Sequence, residues 1–136
     1  MAADFDAKNL DGFAHWMRAQ AQEEWGHGMK MYKYITEQQG RVTLEAIDAP
    51  KTEWATAVEI FEETYKHEQL VTSKIHDLMA LAKEEKDYAT EIFLQWFVNE
   101  QVEEEAHASS ILEKMKLIGE SPQGLIMMDR GLGERK

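Results

Sequence analysis

The sequence predicts an all-α fold, a bundle of long helices with one long crossover loop and a short C-terminal helix, and three observations carry that expectation. Apolar residues recur at spacings of three and four over three stretches too long for strands. Proline occurs only at Pro50 and Pro122, outside those stretches. Each stretch also carries acids in or beside its apolar stripe: Glu23-Glu24-Trp25-Gly26-His27, His67-Glu68 and Glu100-Gln101-Val102-Glu103-Glu104. A carboxylate in a low-dielectric interior costs on the order of several kcal/mol unless a cation or hydrogen bonds meet it. One bound metal site compensates several acids at once.

The first long helix is expected to begin near residues 10–12 and to run to about residue 38. Its inward face is Phe13, Met17, Gln20, Glu24, His27, Met31 and Tyr34, and Gly40 supplies the stop. Residues 41–51 read as extended, with Val42, Leu44 and Ile47 as apolar anchors against a bundle. Eleven extended residues span about 36 Å at roughly 3.3 Å each, enough to join parallel neighbours. The second long helix is expected after an N-cap at Thr52 and continues to about residue 83, with Glu68 the one acid in a face of Val58, Phe61, Tyr65, Val71, Thr72, Ile75, Leu78, Met79 and Ala82. A charged turn leads to a third helix over residues 88–118, carrying Ile92, Phe93, Trp96, Phe97, Glu100, Gln101, Glu104, Ala108, Ile111 and Met115 inward. Gly119 and Pro122 close it, and residues 124–132 are apolar enough for one short terminal helix.

At 136 residues the chain is expected to be a single domain over 1–136. It has 15 basic and 26 acidic residues, a net charge of −11, which argues against nucleic acid and anionic membranes as partners and favours cations. Without cysteine, any metal must be held by oxygen and imidazole. No apolar run reaches the length of a membrane span and the N-terminus lacks the pattern of a signal peptide, so the expected location is the cytoplasm.

Glu24 and His27, three apart, share a helical face and can share a metal, although Glu-x-x-His often arises by chance as a surface or core pair. Glu68 alone is equally weak, since protonation or a neighbouring side chain can neutralise it. Glu100, Glu103, Glu104 and His107 form an i, i+3, i+4, i+7 ladder on the third helix, a solvated face in the bland interpretation. Together these residues fit the di-metal carboxylate bundles, which take one Glu from each of two helices and Glu-x-x-His from the others. The third helix can complete such a site with Gln101 and Glu104 or with Glu104 and His107. Spacing does not choose between them.

The chain resembles the bacterial and archaeal non-haem ferritins over essentially its whole length. Gly12-Phe13-Ala14-His15-Trp16-Met17, Gln20-Ala21-Gln22-Glu23-Glu24, Gly40-Arg41-Val42, Tyr65-Lys66-His67-Glu68-Gln69 and Phe93-Leu94-Gln95-Trp96-Phe97, followed by Glu100-Gln101-Val102-Glu103-Glu104-Glu105, match that family's segments in order. The resemblance implies an iron-storage ferroxidase that oxidises Fe(II) with dioxygen or hydrogen peroxide at a di-iron centre and deposits mineral inside a homo-oligomeric shell, a 24-subunit cage in the family's form. It implies that Glu24 bridges the two irons, that His27 binds the first, that Glu68 and Glu104 bind the second, and that Gln101 sits beside them. Glu23, Glu100 and Glu103, with Glu104 shared, would form a third iron site.

Against the family pattern, residues 1–6 match the end of the first helix and the turn after it. The expectation is an N-terminally truncated bundle lacking about 25 residues, roughly 37 Å of helix, and with them the Glu that completes the first iron position. The alternative function is therefore a ferritin-like protein that binds metal or assembles with impaired oxidation. An unrelated scaffold with solvated acids is a third. Gly26 and Gly28 flank His27 at about 1 kcal/mol each relative to Ala, and Trp25 stands where bacterioferritins carry a haem-binding Met, which argues against haem.

Overall fold

Helices form where the apolar periodicity places them, and in the computed structural model, which describes residues 1–119 and 121–135, no strand occurs among the described residues. In chain order they are α1 (Ala2–Ala7), α2 (Asp11–Glu37), α3 (Ala57–Glu84), α4 (Tyr88–Ile118) and α5 (Pro122–Leu132). They fall into two compact units, one holding α1, α2 and α5 and the other α3 and α4.

In the first unit, Phe5 of α1 and Phe13 of α2 are fully buried and stack, with ring centroids 4.9 Å apart. Burying side chains of this size contributes about 1.5–3 kcal/mol each. Arg18 adds a two-pronged contact from α2 to the Asp6 carboxylate, at 2.7 and 2.5 Å. Between the helices the chain turns at Asn9, which takes φ +56° while the Leu10 amide donates to the Phe5 carbonyl and the Asn9 amide to that of Asp6. These two bonds satisfy carbonyls that a helix end leaves open.

The N-terminus of α2 has no side-chain cap of its own. Asp129 of α5 supplies one from a distance in sequence: its Oδ1 accepts from the Gly12 amide at 2.8 Å and the Phe13 amide at 3.1 Å. A carboxylate there also faces the positive end of the helix dipole. Gly12 is required by this contact, because a Cβ at that position would overlap the Asp129 carbonyl oxygen.

The second unit is a helical hairpin. Thr56 caps α3, its Oγ1 accepting from the Glu59 amide at 3.1 Å while the Glu59 carboxylate accepts from the Ala55 amide at 2.8 Å. Asp87 caps α4, accepting from the Thr90 amide and hydroxyl at 3.1 and 2.6 Å, and the Thr90 hydroxyl bond holds the Asp87 carboxyl below the usual carboxylate range. Ile60, Phe61 and Ile75 of α3 and Leu94, Phe97, Ala108, Ile111, Leu112 and Met115 of α4 are buried. The Phe97 ring meets Trp96 and Phe93 edge-on.

Five expectations change, the first being Leu78, which the period places inward on α3 and which is exposed. The α3 cap is Thr56 rather than Thr52, since Thr56-Ala57-Val58-Glu59 completes a capping pair that Thr52 lacks. Leu44 and Ile47 do not anchor the loop: residues 40–54 take no regular structure and both side chains are exposed. Ile92 and Trp96 point outward, because Leu94 and Phe97 hold the inward face of α4 near its start. The stop expected at Gly40 comes one residue earlier, at Gln39, which takes φ +61°. Nothing lies within 4 Å of where a Cβ would stand at Gly26 or Gly28, so neither serves a close approach.

Gly12→Ala is expected to destabilise the protein by about 1–3 kcal/mol through overpacking against α5, and Asp129→Ala by about 1–2 kcal/mol through loss of the cap. Urea denaturation followed by circular dichroism checks both. A midpoint unchanged by either substitution would show that α5 does not cap α2.

Candidate metal centre

Donor groups collect at one place in each unit. On α2, Glu24 and His27 face the same way because three residues make nearly one helical turn. The His27 Nδ1 lies 3.4 Å from the Glu24 Oε2, and the other carboxylate oxygen accepts from the Gln20 amide at 3.1 Å. Gln20 thus turns one oxygen of Glu24 away and leaves the second toward the imidazole. A cation about 2.1 Å from both nitrogen and oxygen fits between atoms 3.4 Å apart.

In the second unit the donors are more deeply placed. Glu68 of α3 and Gln101 and Glu104 of α4 retain only 3%, 4% and 6% of their surface. The Gln101 side-chain amide donates to the Glu68 backbone carbonyl at 3.2 Å and to the Thr72 hydroxyl at 3.3 Å, with the Glu68 carboxylate at 3.5 Å. Thr72 in turn donates to the Glu105 carboxylate at 2.5 Å. Glu104, three residues beyond Gln101, shares its face of α4. Gln101 and Glu104 are buried, whereas His107, the alternative partner of Glu104, is exposed.

The remaining acids stand differently. Glu23 and Glu103 are exposed rather than inward, and Glu100 is half-buried. One residue of helix rotates the side chain by about 100°, so Glu23 leaves the face that Glu24 occupies. It meets the Arg135 guanidinium instead. Arg135 follows α5 and also lies over the Trp16 ring, 4.6 Å from its centroid.

Two residues of these clusters had no site role in the sequence pattern. Thr72 stands on the inward face that the period predicts, one turn after Glu68. Arg135 carries no periodic signal. A groove of about 350 Å³ between α3 and α4, lined by residues such as His76, Met79, Lys83 and Glu91, contains none of the expected ligands.

Carboxylate oxygens with one imidazole and no thiolate suit harder divalent metals such as iron and manganese. Gln101→Leu, which keeps the volume and removes the amide, is expected to cost about 1–3 kcal/mol in metal-free protein. Guanidinium denaturation of the metal-free variant measures it; an unchanged midpoint would show that Gln101 does not organise Glu68.

Residues 1–118 match the family model described as a ferritin-like domain. Among curated proteins, a bacterial non-heme ferritin of Bacteroides fragilis is 42% identical over 135 residues, covering 99% of this chain and 84% of the relative. One of Escherichia coli is 39% identical, covering 97% and 80%. Among solved structures, an open pore ferritin from the hyperthermophilic archaeon Archaeoglobus fulgidus is 49% identical, with a TM-score of 0.98 over 100% of this chain and 83% of that one.

Proposed function

The chain belongs to the ferritin-like family, and we propose that it stores iron, oxidising Fe(II) to Fe(III) at a di-iron ferroxidase centre and depositing the product as mineral within a homo-oligomeric shell. Glu24 bridges the two irons, His27 holds the first, and Glu68 and Glu104 hold the second with Gln101 alongside. Glu23, Glu100 and Glu103, with Glu104 shared, form a third iron position. Support for the residue roles comes from the family's motifs at these positions, and support for metal comes above all from the burial of Glu68 and Glu104.

The chemistry follows from the donors. Two Fe(II) ions surrender one electron each; dioxygen with two protons becomes hydrogen peroxide, or hydrogen peroxide with two protons becomes two waters. Anionic oxygen ligands stabilise Fe(III) more than Fe(II), since the attraction grows with the cation's charge and is strongest away from water. The buried carboxylates therefore favour the oxidised product. Fe(III) then hydrolyses to insoluble oxide, and a net charge of −11 draws further cations to the protein.

The names of the relatives and neighbours favour assembly into a shell, with the family's 24-subunit cage as the form proposed here. Among the described residues no helix is long and apolar enough to cross a membrane, in keeping with the cytoplasmic location proposed. Exposed apolar side chains on α2, Trp25, Met29, Tyr32 and Ile35, offer surface for subunit contacts.

Anaerobic Fe(II) titration followed by oxygen exposure tests the proposal, read as bound iron and as oxygen consumed. His27→Ala and Glu68→Ala are each expected to slow oxidation at least about tenfold. Iron bound without oxidation above buffer would favour the metal-binding alternative, and the absence of both would sink ferritin function for this chain. Native mass spectrometry gives the subunit number.

A further inference from the structure

Glu23 and Arg135 form an arrangement that iron oxidation at the paired site does not use. The Arg135 guanidinium meets the Glu23 carboxylate. Arg135 is also held in three ways that do not involve Glu23. Its Cζ lies over the Trp16 ring, 4.6 Å from the centroid, its Nη1 donates to the Trp16 carbonyl at 3.5 Å, and its backbone carbonyl accepts from the His15 Nε2 at 2.7 Å. Trp16 is itself buried, so the platform under the guanidinium is fixed. The Asp129 cap on α2 sets the position of α5, and the chain runs only six residues from there to Arg135.

The two partners differ in freedom. The Arg135 side chain is 18% exposed and that of Glu23 48%. The arginine is therefore the fixed member and the carboxylate the mobile one, able to rotate away while the guanidinium keeps its place over Trp16. A divalent cation bound by Glu23 competes with the guanidinium for the same carboxylate, because two positive charges a few Å apart repel and each weakens the other's hold.

We propose that Arg135 is an internal cation seated on Glu23 that an incoming metal ion must displace, so that the segment following α5 sets the affinity of the Glu23 position. The latch rests on Glu23 being an iron ligand, as in the function proposed above. When metal arrives the carboxylate swings to it and the guanidinium remains on the indole face; when metal leaves, the pair reforms. Loading at this position is then graded by the local iron concentration instead of being permanent, and any event that undocks α5 removes the competitor.

The test is calorimetric titration of the full, metal-free protein with Fe(II) under anaerobic conditions, in wild type, Arg135→Gln, Arg135→Lys, Glu23→Gln and the Arg135→Gln/Glu23→Gln double variant. Removing the competitor in Arg135→Gln is expected to tighten one site by about fivefold, the size of a half-exposed ion pair. Arg135→Lys keeps the charge and stays within about twofold of wild type. The double variant behaves as Glu23→Gln, because the effect of Arg135 passes through Glu23. A merely structural Arg135 would give weaker or unchanged binding on removal, and that result, with Glu23→Gln losing a site, overturns the latch while leaving Glu23 as a ligand. Undiminished iron binding in Glu23→Gln removes Glu23 from the ligands and overturns the latch with it.

Discussion

The placement of Glu68 and Glu104 away from water is the constraint on which the second unit depends. Each acid forgoes hydration worth several kcal/mol by rough estimates for buried charges, so the surrounding chain must meet it with fixed dipoles or cations. The Gln101 amide stands 3.5 Å from the Glu68 carboxylate while donating to the Glu68 backbone carbonyl, and Thr72 extends the polar layer to Glu105. Above and below that layer the interior is apolar, with Phe61 and Ile75 on α3 and Phe97, Ala108 and Ile111 on α4. Register is thereby fixed twice. Rotating α4 by one residue, about 100°, would bring the exposed Val102 toward Glu68 and turn Gln101 out.

Such precision needs helices that cannot slide, and the helix ends supply it. α1, α2 and α3 all end with a non-glycine residue in the left-handed region, Asn9, Gln39 and Lys86, at a cost of roughly 1–2 kcal/mol. Each is offset by two backbone bonds back into the last turn, such as Asp87 to Ala82 and Lys86 to Lys83 at the end of α3. The turn from α3 to α4 is then three residues long and leads at once into the Asp87 cap. Gly119 differs, because its φ of +56° and ψ of −136° belong to a region open only to glycine, and its amide donates to the Met115 carbonyl.

Much of this was legible in the sequence. Period and length gave α4 to its terminal residues, because a helix of 31 residues between Asp87 and Gly119 carries both its signals locally. The α3 start was misplaced by four residues since two threonines precede it and only the capping partner three residues on distinguishes them. Ile92 and Trp96 fit the apolar period yet face outward, as periodicity defines a stripe without saying where its edge falls. At the candidate site, spacing put Glu24 and His27 on one face and left two registers on α4, of which Gln101 with Glu104 is buried while His107 is exposed. Arg135 was illegible because its contacts with α2 join positions more than a hundred residues apart in the chain.

Exposure separates the acids into those that can exchange partners and those that cannot. A half-exposed pair such as Glu23 with Arg135 contributes only about 0–1 kcal/mol, since water solvates either partner when the contact opens. A divalent cation competes with it easily. Glu68 has no such alternative: stripped of its partner it stays in the interior, where an uncompensated carboxylate costs several kcal/mol by the same order of estimate. The same residue type therefore stands in an exchangeable ion pair on the surface of α2 and in a fixed polar layer between α3 and α4.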